Sequence, residues 1–213
     1  MNAWEMTRFI KPASKQAFIK SLRKDALLLD VGCGNNSPNL ICGMRPDIYY
    51  HGIDIEGSGS DARCYYVSPE RFYVPMLAAR NIFDAVLCSH TIEHCLSPIN
   101  VLCAMAHTLK LNGRMYLSTP CMESLGFPSR RGCLNYHDDK THRPFLPLQI
   151  IKDQLEACGM RVEFEDRTYR PRLLSTIGGV LEPLSRMMNK TIPLATWAYW
   201  GFESVLILRK VDV

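Results

Sequence analysis

Nothing in the 213-residue sequence is long and apolar enough to cross a bilayer, since every apolar run falls well short of the ~20 residues a spanning helix needs. The opening stretch, MNAWEMTRFIKPASKQ, has no apolar core ahead of a small-residue cleavage site, so no secretory leader is expected. Charge of one sign is also scarce. Twenty-five basic residues against 21 acidic leave a formal net charge of +4. That lacks the dense basic stripe of a dedicated nucleic-acid binder, and no nucleic-acid partner is expected. Cysteine is plentiful, but its usual patterning is missing. The nine cysteines, from Cys33 to Cys158, include no C-x-x-C pair, which argues against a disulfide framework or a structural zinc site. The expectation is buried free thiols in a reducing cytoplasm. Repeats and low-complexity tracts are absent too. What remains is an ordinary globular composition, 47% hydrophobic and 22% charged. The length suits a single domain over residues 1–213, able to bury about 70% of its unfolded surface without staples.

Short apolar runs alternate with helical patterns. ALLLDV (26–31), IYYHGIDI (48–55), RCYYV (63–67) and FDAVLCS (83–89) read as strands, the first and last buried on both faces. RMYLSTP (114–120), RVEFE (161–165) and ESVLILR (203–209) complete seven. Helices are expected over 14–24, from Ser37 or Pro38, from Ser97-Pro98 to a stop at Asn112-Gly113, and over 147–158 with Gly159 past the end. Leu102, Met105, Ala106 and Leu109 mark the buried face of the third. The fold class expected is therefore α/β: one doubly wound, mostly parallel seven-stranded sheet. Its core covers about residues 20–165 and 203–210. Residues 166–202 are too many for a hairpin loop and read as a helical insertion or lid.

The sharpest local signal is Leu29-Asp30-Val31-Gly32-Cys33-Gly34, a strand ending in a G-x-G turn with a helix after it. The next strand ends in Gly52-Ile53-Asp54, and a carboxylate there suits the two hydroxyls of a ribose. A pyrophosphate-binding turn wants a third glycine where this chain has Ser37, and Asp30 would repel a pyrophosphate. An acid at the pocket mouth suits a cationic nucleoside without phosphate, and S-adenosylmethionine is one.

In these segments the chain resembles the class I S-adenosylmethionine-dependent methyltransferases, especially the small quinone-biosynthesis and tailoring O-methyltransferases. LLLDVGCGNN resembles the first motif, GIDI the second, FDAVLCSHTIEHCLSP the fourth-strand motif and LKLNGRMYLSTP the fifth-strand segment. The resemblance implies a Rossmann-like methyltransferase fold, S-adenosylmethionine as cofactor, and a cofactor set of Asp30, Gly32, Cys33, Gly34, Asp54, Ile55 and Ser89. Asn36 stands where the family often has a further glycine, and Val67-Ser68-Pro69-Glu70 offers no clean match to the family's adenine acid.

His90-Thr91-Ile92-Glu93-His94 follows the fourth strand, where a parallel sheet presents its ligands. As H-x-x-E-H it is also the inverted-zincin signature, but that motif belongs on a helix rather than at a strand end. In the resembling quinone enzymes an E-x-x-E-H segment can hold a divalent metal; here His90 replaces the first glutamate. A metal is therefore possible but not favoured, and the residues could equally cap a helix and line the cleft. His90 and His94 are candidate general bases. The loop HDDKTHRPF adds His142, with Asp139 and Thr141, on a pattern the resembling enzymes share. The expected reaction is methyl transfer to a hydroxyl oxygen of a small-molecule or lipid- or glycan-linked acceptor. An inactive S-adenosylmethionine-binding partner subunit and a nicotinamide oxidoreductase are the alternatives. The insertion, with Arg167, Arg170 and Arg172 ahead of LLSTIGGVLEPL, reads as a packed lid, a peripheral membrane contact or a dimer contact; the oligomeric state stays open.

Overall fold

The computed structural model describes residues 13–55 and 61–212. Residues 1–12, on which the leader expectation rests, lie outside them. Seven strands form one sheet in the order β3-β2-β1-β4-β5-β7-β6. They are β1 (Leu27–Val31), β2 (Tyr49–Asp54), β3 (Cys64–Tyr66), β4 (Phe83–Ser89), β5 (Leu109–Pro120), β6 (Met160–Asp166) and β7 (Glu203–Lys210). Strands β1 to β5 pair in parallel, and β7 runs antiparallel between β5 and β6. The apolar runs of β1 and β4 follow from this position, because helices cover both faces. Phe18, Ile19, Leu28, Ile41 and Leu87 form the core on one face. Val86, Leu102, Met105, Ile151 and Leu155 form it on the other. Chain order reverses between β1 and β4, which opens a crevice at the carboxyl ends of the strands.

The helices are α1 (Lys15–Ser21), α2 (Ser37–Met44), α3 (Val74–Ala78), α4 (Pro98–Thr108), α5 (Leu148–Ala157), α6 (Arg172–Met187) and α7 (Ala195–Trp200). Helix α1 stops short of the expected end because Arg45 Nη1 takes the carbonyls of Ile19, Lys20 and Leu22 at 2.9, 3.1 and 3.0 Å, closing its last turn. Helix α4 also ends early. Leu109 already pairs with Phe83, and Asn112, at φ +64°, makes an irregularity within β5 instead of stopping the helix. Helix α3 was not foreseen, being too short to show a period. Helices α6 and α7 form the expected insertion between β6 and β7. It is latched to the loop at 130–133: Arg130 reaches Glu182 at 2.6 Å and Ser185 at 2.8 Å, and Trp197 Nε1 donates to the Cys133 carbonyl at 2.7 Å. Among the described residues no helix is long and apolar enough to cross a membrane.

Candidate active site

The glycine turn sits at the carboxyl end of β1. Gly32 and Gly34 take φ +77° and +56°, the left-handed region open to glycine at no steric cost. The two glycines do different work. A Cβ at Gly32 would lie 1.9 Å from Thr91 Oγ1, so this position is bare because the fourth-strand loop packs on it. A Cβ at Gly34 would meet no described residue within 4 Å, leaving that side of the turn free for a ligand among the described residues. The Gly34 N–H donates to Asp54 Oδ2 at 2.7 Å, and the Ile55 N–H donates to Oδ1 at 2.7 Å. The acid expected for a ribose therefore stands at the rim of the turn, with exposed Ile55 beside it. Gly32, Asp54, Ile55, Phe72, His90 and His94 are among the residues lining a cavity of about 530 Å³.

Two of the expected cofactor residues lie elsewhere than the sequence suggests. Asp30 is not at the pocket mouth. It shares the face of β1 that holds Leu28 and is 1% exposed, with Oδ2 accepting from the Tyr50 hydroxyl at 2.9 Å. Among the described residues its Oδ1 has no hydrogen-bond partner, a costly state for a buried oxygen. Burial raises the pKa of this carboxyl, opposed by Lys15 and the Tyr50 hydroxyl. An unsatisfied buried acid directly beneath the turn fits a cationic ligand above it. Cys33 points away, its sulfur buried 3.9 Å from that of Cys64 in space left by Gly52. Burial pushes its thiol pKa well up, and its backbone N–H donates to the Ile53 carbonyl. Ser89 shares a 3.0 Å hydrogen bond with Ser118 and lines a second cavity of about 400 Å³.

His90 belongs to both cavities, and it holds a left-handed φ of +52°. Its Nδ1 lies 3.1 Å from Glu93 Oε1 and its Nε2 3.3 Å from Glu203 Oε2, while the ring packs on Trp197 with 5.0 Å between centroids. Burial alone would lower the imidazole pKa. The bonds and charges of Glu203 and Glu93 outweigh it and raise the value to about 9. At neutral pH His90 is thus an imidazolium with both nitrogens engaged, not the free base considered from sequence. Raised above 6.5, its folded-state pKa contributes stability that is complete below about pH 6.5 and lost as pH rises through about 9. The expected result is a loss of roughly 2–3 kcal/mol between pH 6 and 10 that His90→Gln lacks, measured by urea unfolding. Equal slopes in both proteins would contradict the pairing.

His94 and His142 stand together, ring centroids 4.8 Å apart. The Thr141 hydroxyl bridges His94 Nδ1 at 2.8 Å and Asp139 Oδ1 at 2.7 Å. Asp139 can only accept, so Thr141 donates to it and accepts from His94 Nδ1. In the neutral ring that tautomer has Nε2 as the acceptor. His142 Nδ1 lies 2.6 Å from the Tyr136 carbonyl and donates to it. Glu93, His94 and His142 each offer a ligand atom within 4.8 Å of the others and could share a cation. Glu93, however, is already bonded to His90 and to the Thr119 hydroxyl at 3.4 Å. Sequence reasoning missed Glu203, Thr91, Tyr50 and Trp197. Only Glu203 carried a signal: a lone acid opening the apolar run ESVLILR.

A glycine turn after β1, an acid at the end of β2 and a buried acid beneath the turn, at the switch point of a seven-stranded sheet whose last strand is antiparallel, are the arrangement of a class I methyltransferase fold. The sequence matches the family described as methyltransferase domain over residues 4–164, and the chain belongs to that family. A structure of an S-adenosylmethionine-dependent methyltransferase from Mesorhizobium loti aligns with TM-score 0.60 at 12% identity, covering 92% of this chain and 97% of that one. One from Archaeoglobus fulgidus aligns with TM-score 0.54 at 16% identity, covering 98% and 100%. At such identities the likeness is one of fold. An uncharacterized protein of Methanocaldococcus jannaschii is 28% identical over 163 residues, 67% of this chain; the match spans 42% of that relative's length.

Proposed function

We propose that the chain transfers a methyl group from S-adenosylmethionine to a hydroxyl oxygen of a small molecule or of a lipid- or glycan-linked acceptor, with His94 as general base. The observation that carries this reading is the His94–Thr141–Asp139 chain, which engages, through its Nδ1, a His94 that lines the same cavity as Asp54 and Gly32. Asp54 would hold the ribose, the Gly34 side of the turn would take the methionine portion, and Asp30 would balance its positive charge from below. S-adenosylmethionine supplies an already activated sulfonium methyl. The protein's task is alignment, which can account for roughly 7–11 kcal/mol of a barrier, and removal of the hydroxyl proton. His90, fixed as a cation between Glu93 and Glu203, forms the wall between the two cavities and orients what meets there. His142 packs against His94 and limits its rotation. No step here uses a cation at Glu93, His94 and His142.

The test is a screen of hydroxylated acceptors with radiolabelled methyl donor, followed by His94→Ala on the best one. The expected outcome is a kcat about 10²–10⁴-fold lower, with donor affinity unchanged, and wild-type activity retained after chelation. A variant that keeps its kcat would remove His94 from proton transfer.

A further inference from the structure

Helix α6 is built inside out. It meets α7 through its smallest residues. A Cβ at Gly178 would lie 2.2 Å from the Ala195 carbonyl, one at Gly179 would lie 3.3 Å from the Tyr199 ring, and Ser185 is fully buried against Thr196. Its large apolar residues point the other way. Leu173, Ile177, Val180, Leu184 and Met187 recur at steps of four and three, a single stripe at 100° per residue, and all are exposed, Val180 by 77% and Met187 by 78%. Ordinary packing would bury these and leave the glycines outside. A contiguous exposed apolar stripe of this kind marks a surface that something covers.

Charge selects the occupant. The only acid in the helix, Glu182, lies opposite the stripe and is held by Arg130 and Trp200. Arg186 lies on the Glu182 side and helps to neutralise it, whereas Arg172 just ahead of the stripe and Lys190 just past it are both exposed. An antiparallel second copy laid on the stripe would bring Arg172 of one helix toward Lys190 of the other and set like charges against each other. A negatively charged lipid surface answers both features: apolar side chains enter the acyl boundary while the cations reach phosphate headgroups. We propose that this face of α6 docks on anionic lipid bilayers. Docking does not depend on which residue takes the proton. It would hold the loop bearing Leu194, exposed and part of the second cavity's lining, near the lipid.

The test is sedimentation of the full chain with phosphatidylcholine vesicles, with and without phosphatidylglycerol. The protein is expected to pellet with the anionic vesicles and to stay in solution with phosphatidylcholine alone or at high salt. Val180→Glu/Met187→Glu and Arg172→Glu/Lys190→Glu should each cut the bound fraction about tenfold or more, with melting temperature and S-adenosylhomocysteine affinity unchanged. If a charged pair unfolds the protein, Val180→Ser/Met187→Ser serves the same purpose with a smaller loss. Failure of the wild type to pellet overturns the proposal, as does equal pelleting of the folded variants. A dimer in solution that Val180→Glu splits would also overturn it, assigning the stripe to a second copy.

Discussion

Gly32→Ala should destabilise the protein by roughly 2–4 kcal/mol, one of the largest effects of any single methyl in this molecule. Two costs add. The backbone sits at φ +77°, where an L side chain loses about 1 kcal/mol or more. The new Cβ would also fall 1.9 Å from Thr91 Oγ1 and 2.7 Å from its Cβ. Thr91 cannot give way cheaply: it is buried, and its hydroxyl donates to the Val31 carbonyl at 3.1 Å. Urea unfolding measures the loss, and Gly32→Ala/Thr91→Ala should recover the steric share but not the backbone share. Gly34→Ala, with the same hand of φ and open space around it, should cost only about 1 kcal/mol. An unchanged unfolding midpoint for Gly32→Ala would mean the loop after β4 does not pack on the turn.

Asp54→Ala should weaken binding of S-adenosylhomocysteine by about 10²–10⁴-fold, the worth of two charge-assisted hydrogen bonds at roughly 1.5–3 kcal/mol each. The carboxylate also braces the turn through Gly34 and Ile55, so some of the loss would come from a looser cradle. Asp54→Asn keeps one acceptor for the turn and separates the two contributions. Asp54 is half-buried at a strand end, so the fold should survive either change. Calorimetry that finds the wild-type affinity in a folded Asp54→Ala protein would take the ribose away from this residue.

Much of the architecture was legible because it is written in local patterns. Doubly buried strands are continuous apolar runs, and β1, β2 and β4 fall where LLLDV, YYHGID and FDAVLCS predict them. Gly159, at φ +76°, ends α5 as its place past the last apolar residue predicts. The errors lie where a distant residue overrides a local signal. Helix α1 is closed by Arg45, more than twenty residues away along the chain. Asn112-Gly113 is a good helix stop, yet pairing of Leu109 with Phe83 takes the backbone into β5 first. The site shows the same division. That Asp54 would stand beside Gly34 was legible because strand, turn and acid follow one another. Asp30 was misplaced because only Tyr50, on the neighbouring strand, shows that it faces inward.

The order of strands, the glycine turn and the acid that follows it are properties of the sequence alone, because each is set by side chains within a few residues and by the period of a strand or helix. Three things belong to the tertiary structure. Gly32 is bare for Thr91, His90 is a cation because Glu203 arrives from the last strand, and α6 shows its apolar side outward because Gly178 lets α7 come close. Each depends on atoms brought together by chain closure, and contact energies of that kind leave no period in the sequence to read.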